Sequence, residues 1–94
     1  MEETIRTEHP QGKQGGNISK AKYDVIRDAI LETLDTYGQM TFKELSQNVN
    51  EKLQGKFDGS ITWYVTTVKL DLEARQIIER VSKTGPQRLR VVTK

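Results

Sequence analysis

Apolar residues recur along this chain with three helical stretches and one extended one. Tyr23, Ile26, Ile30, Leu34 and Tyr37 are spaced by three and four, the period of a single helical face. Ser19 can cap that stretch and Gly38 can end it, so a first helix is expected over about Ser19–Tyr37. Phe42, Leu45, Val49 and Leu53 form a second stripe. It is opened by "TFKE", where Thr41 and Glu44 have capping-box spacing, and closed by Gly55. "QM" before it fits a short strand. Ile61, Val65, Val68 and Leu72 mark a third helix over Ser60–Arg75, capped by Asp58 or Ser60. The pattern then turns extended. Ile77–Ser82 and Gln87–Thr93 are rich in Ile, Val and Leu, and "KTGP" between them signals a turn. These two runs read as a β-hairpin whose buried parity stays open.

Each helix has an apolar stripe of its own, so the helices must pack on one another, and the hairpin must close the remaining side. The expected fold is mainly α with a β-hairpin: a winged helix-turn-helix spanning 18–94. Residues 1–17 hold Pro10, Gly12, Gly15 and Gly16 without an apolar period, and read as a flexible N-terminal arm.

The third helix carries a second pattern. With Ile61 at zero on a helical wheel, Leu70 falls about 180° away, Trp63 about 200° and Ala74 about 220°. Thr67 lies beside them. These apolar groups face away from the core stripe, so Trp63, Leu70 and Ala74 form a candidate protein interface. Its cover could be a second copy of the chain in a homodimer, the arm through Ile5 or Ile18, or another protein. Simple exposure needs no cover. Between the two apolar faces runs a polar stripe of Thr62, Thr66, Lys69 and Glu73.

Charge adds a direction. From Arg75 onward six basic residues stand against Glu79, a net +5, while the preceding part is net −3. A basic end of this kind points to an anionic partner, most often nucleic acid. In a helix-turn-helix the second helix of the motif enters the major groove. The candidate DNA contacts are therefore Thr62, Thr66 and Lys69 on the helix, with Lys83, Thr84, Gln87, Arg88 and Arg90 on the wing. Hydroxyls can meet phosphate or base edges, and the arginine fork suits phosphate.

Catalytic sets do not assemble. The chain has no cysteine and a single histidine, His9, so thiolate chemistry and the usual zinc sites are out of reach. "GKQGG" at Gly12–Gly16 lacks the phosphate-loop pattern. Asp71 and Glu73 are two apart on a helix, do not face each other, and read as solvated surface. The chain is expected to be no enzyme and to need no cofactor or metal, and no small-molecule substrate is identified. No apolar run reaches the ~20 residues of a membrane span, and the polar start is unlike a signal peptide, so a cytoplasmic protein is expected.

"HPQGKQGGNISKAKYDVIRDAILETL", "WYVTTVKLDLEAR", "IIERV" and "GPQRLRVV" together resemble a small family of uncharacterised bacterial proteins. The similarity runs from His9 to Val92. Its most specific parts are Lys22–Tyr23–Asp24, the Trp63 to "LDLEA" block, and Pro86–Arg90. The resemblance implies a winged-helix fold and no agreed activity. The leading expectation is thus a small DNA-binding protein acting as a transcriptional regulator. The alternative is a protein-interaction or dimerisation module without DNA binding. An enzyme working through the Gly-rich arm comes last.

Overall fold

The structure is a computed structural model that describes residues 3–8, 16–81, 85 and 87–92. The element order is β1 (Thr4–Arg6), β2 (Asn17–Ser19), α1 (Lys20–Tyr37), β3 (Met40–Thr41), α2 (Phe42–Leu53), α3 (Ile61–Ala74), β4 (Ile78–Val81) and β5 (Arg88–Val91). It is a mixed α/β domain with three helices and two small antiparallel sheets.

The helix ends follow local chemistry. The Ser19 hydroxyl accepts from the Lys22 amide at the start of α1. At the other end Gly38 takes φ 85°, and its N–H donates to the Leu34 carbonyl. Thr41 and Glu44 form the full capping box on α2. The Thr41 hydroxyl accepts from the Glu44 amide, and Glu44 accepts in turn from the Thr41 amide at 3.0 Å. Those bonds hold the Glu44 carboxyl below its ordinary pKa.

The end of α3 is less obvious from sequence. Ile77 N–H donates to the Leu72 carbonyl and Gln76 N–H to the Glu73 carbonyl. This is a Schellman closure, with Gln76 at φ 62° where glycine is usual.

The core lies where α1, α2 and α3 meet the larger sheet. Ile26, Ile30 and Leu34 come from α1, Leu45 and Val49 from α2, Val65, Val68 and Leu72 from α3. Each fully buried aliphatic of this kind contributes roughly 1.5–3 kcal/mol. Met40, Ile78 and Leu89 close the sheet side.

The larger sheet has the order β3–β5–β4. Leu89 stands opposite both Met40 and Arg80, and Ile78 opposite Val91. That register settles the hairpin parity. Ile78, Leu89 and Val91 share the core face, while Glu79, Arg88 and Arg90 share the outer one.

The N-terminal expectation needs correction. The described residues of the stretch read as a loose arm are built into the fold. Thr4, Ile5 and Arg6 pair with Ser19, Ile18 and Asn17 in an antiparallel hairpin. Ile18 is buried in the core, and Ile5 packs against it. Glycine and proline density hid a strand too short to show an apolar period. The segment between the two strands lies outside the described residues.

Candidate functional site

Helix α3 presents three faces, and the structure gives each a different use. The core face holds Val65, Val68 and Leu72. The polar stripe divides along its length. Near the start of the helix Thr62 and Thr66 are exposed. The Thr66 hydroxyl donates to the Thr62 carbonyl at 3.0 Å, and Asn50 of α2 reaches the Thr62 hydroxyl at 3.5 Å.

Farther along, the stripe is buried. The Lys69 side chain is only 14% exposed. Its ammonium lies 3.5 Å from Glu73 and 5.2 Å from the centre of the Phe42 ring. Burial pulls the Lys69 pKa down, partly offset by Glu73. Glu73, 6% exposed, also accepts from Arg80 of β4 at 2.5 and 3.1 Å. Lys69 is therefore committed to an internal ion pair and lies away from open solvent.

The basic end of the chain meets the same fate. Arg75 pairs with Asp71, Arg80 with Glu73 and Arg90 with Glu79, while Arg88 stands 4.0 Å from Glu44. Four of the six basic residues of this end, Arg75, Arg80, Arg88 and Arg90, thus stand beside carboxylates of α2, α3 and β4. Gln87 and Arg88 are exposed. Lys83 and Thr84 lie outside the described residues.

The third face bears the second apolar pattern. Trp63 is 53% exposed, and Leu70 and Ala74 are half-buried. A cleft of about 330 Å³ separates the helix from the N-terminal hairpin. Trp63, Thr67 and Leu70 line one side of it, and Thr7, Glu8 and Ile18 the other. The hairpin thus covers one edge of the stripe and leaves the indole open. Trp63 also meets the Tyr64 ring edge-on at 4.9 Å, and Tyr64 meets Phe57 at 5.1 Å. Lys22 lies 5.7 Å from the Tyr64 ring centre.

Below that cleft is a polar centre that sequence reasoning missed. Asp71 is 0% exposed. Its carboxylate accepts from the Tyr23 hydroxyl, from Arg75 Nε at 3.0 Å to each oxygen, and from the Glu8 amide at 2.8 Å. The Arg75 guanidinium also donates to the Arg6 carbonyl at 3.3 Å. Helix α1, the end of α3 and the segment after β1 therefore converge on one carboxylate. A buried charge persists only when paired and hydrogen-bonded, and this one is. Burial first, and the bond to Asp71 next, push the Tyr23 phenol above its ordinary 10.0. The bond to Asp71 raises Arg75 further.

The reading of Asp71 and Glu73 as solvated surface is corrected by these geometries. They point to opposite flanks of α3, as a separation of two residues on a helix requires; Asp71 is buried, and the side chain of the half-buried Glu73 is 6% exposed. The available signals were Asp71 and Arg75 at i,i+4, and a wheel position for Asp71 only about 80° from Ile61. Among the described residues, no group of three or more His, Cys, Asp or Glu side chains could hold a metal. No helix among them is long and apolar enough to cross a membrane.

Fold and site together define a small α+β domain organised around one helix with two buried carboxylates. The chain belongs to the family of unknown function DUF6958, whose profile matches residues 4–89, from the first residue of β1 into β5. No curated protein and no solved structure matches it. Tyr23 and Asp71, the buried pair, fall within the "KYD" and "LDLEA" segments that carried the resemblance.

Proposed function

We propose that the chain is a winged-helix module that contacts duplex DNA, with a regulatory and non-catalytic role in the cytoplasm. The observation that carries this reading is the strand order β3–β5–β4 combined with the sequence of elements α1–β3–α2–α3–β4–β5. That arrangement sets α3 beside a hairpin wing and leaves Thr62 and Thr66 open to a groove. Arg88 and Gln87 stand on the exposed side of the wing. Lys69 and Arg90 leave the contact set, since both are held by carboxylates.

With so many cations paired internally, the electrostatic share of binding is small. Titration with random duplex DNA tests the reading. Binding tighter than ~10⁻⁴ M at low salt, weakened by Arg88→Ala and by Thr66→Ala, is expected. Binding weaker than that at low salt removes it.

A second reading rests on the open Trp63 indole next to an apolar cleft. In it, Trp63 and Leu70 seat against a second copy of the chain. Light scattering decides: a mass that rises with concentration in the wild type and stays monomeric in Trp63→Ala supports the dimer. A monomer in both excludes it.

A further inference from the structure

The β1–β2 hairpin is attached to the domain in an unusual way. It is a sheet of its own, separate from β3–β5–β4. Internally it is well bonded. Thr7 N–H and the Thr7 hydroxyl both donate to the Gly16 carbonyl at 3.0 Å, Gly16 N–H returns to the Thr7 hydroxyl at 3.1 Å, and Lys20 N–H donates to the Glu3 carbonyl at 2.9 Å. An isolated two-stranded hairpin is at best marginally stable in water, so its order depends on what it docks against.

Its docking has two parts. The apolar part is Ile18 in the core with Ile5 beside it. The polar part converges on one point: the Glu8 amide donates to Asp71, and the Arg6 carbonyl accepts from Arg75, itself bound to Asp71. Tyr23 fixes the remaining carboxylate oxygen from α1. One buried side chain therefore joins the strand β1, the helix α1 and the end of α3.

We propose that β1 is a clasp that opens from α3 while the helical core stays folded, and that the Asp71 carboxylate is its lock. Opening takes Ile5 off Ile18 and moves Thr7 and Glu8 away from the cleft that Thr67 and Leu70 line. It extends the exposed apolar stripe that begins at Trp63, so the clasp presents or withholds one flank of α3. Local opening of this kind draws on segments with few buried contacts, and the clasp has only the partly buried Ile5 and the buried Thr7 that follows β1.

Native-state amide hydrogen exchange on the full chain tests the proposal. The wild type is compared with Asp71→Asn, Arg75→Gln and Tyr23→Phe. The clasp reporters are the Thr7, Glu8 and Gly16 amides, and the core reporters are those of Leu45 and Val49. In Arg75→Gln and Asp71→Asn the clasp amides are expected to exchange about tenfold faster or more, as loss of a charge-assisted bond implies. Core amides should change far less. Tyr23→Phe keeps the ring and removes only one donor, so it carries the same test should Asp71→Asn fail to fold. Equal acceleration of clasp and core overturns the proposal, because the hairpin then unfolds only with the whole domain. No acceleration at the clasp in any variant overturns it too, because the lock then lies elsewhere.

Discussion

Helix α3 has a hairpin on each flank, and the two are held by different forces. The C-terminal hairpin is fastened mainly by apolar burial. Ile78 and Leu89 sit in the core, β3 adds a third strand, and Glu73 ties Arg80 on the same face of the sheet. The N-terminal hairpin has no third strand. It relies on Ile18, Ile5 and the bonds that meet at Asp71. Asp71 and Glu73 are two residues apart and so point to opposite flanks of the helix, one toward each hairpin. Much of the charge that seemed to promise an anionic partner is used in these internal ties.

The largest expected effect is on the apolar side. Leu89→Ala should cost about 2–5 kcal/mol in denaturant unfolding, in one transition, because it opens a cavity shared by helices and sheet. Asp71→Ala comes next, at about 2–3 kcal/mol. It strands the buried Tyr23 hydroxyl, while the partly exposed Arg75 can regain water. Glu73→Gln should cost less, about 1–2 kcal/mol, since Arg80 is solvent-accessible and the amide oxygen of Gln can still accept from Lys69. Equal losses for the two carboxylates would erase the difference between the flanks.

Alkaline pH separates them without a mutation at either carboxylate. Tyr23 keeps its proton more tightly folded than unfolded. The stability it confers is therefore fully present below its ordinary 10.0 and falls as pH rises above that. Chemical denaturation from pH 9 upward should show this decline in the wild type and less of it in Tyr23→Phe. The smallest effect is a gain. Gln76→Gly relieves a left-handed position and should stabilise by about 0.5–1 kcal/mol, measured as a raised denaturant midpoint.

Much of the architecture was legible from spacing. The stripes of α1, α2 and α3 had clear helical periods, and Ser19, Gly38 and the Thr41–Glu44 box marked ends that the structure keeps. The two runs about "KTGP" became β4 and β5, and "QM" foretold β3. Hairpin parity needed the register, because Leu89 and Arg90 alternate too briefly to choose a face. The N-terminal strand was invisible for a similar reason: three residues with one isoleucine carry no period.

The site was harder to read, because charge partners are set by folding and not by neighbourhood in the chain. Glu44 and Arg88 are far apart in sequence yet meet across α2 and β5. Tyr23 reaches Asp71 between α1 and α3. A tally of charges by segment assigns such groups to solvent. Trp63 was read correctly as lying off the core face, but Asp71 on the same helix was the more informative residue.

The most direct test of the claim that α3 locks its two flanks separately is amide exchange on Asp71→Asn and Glu73→Gln measured side by side. The account predicts that Asp71→Asn speeds exchange at Thr7, Glu8 and Gly16 and spares β4 and β5, while Glu73→Gln leaves those three amides at the wild-type rate. The same set of amides released by both variants would contradict it.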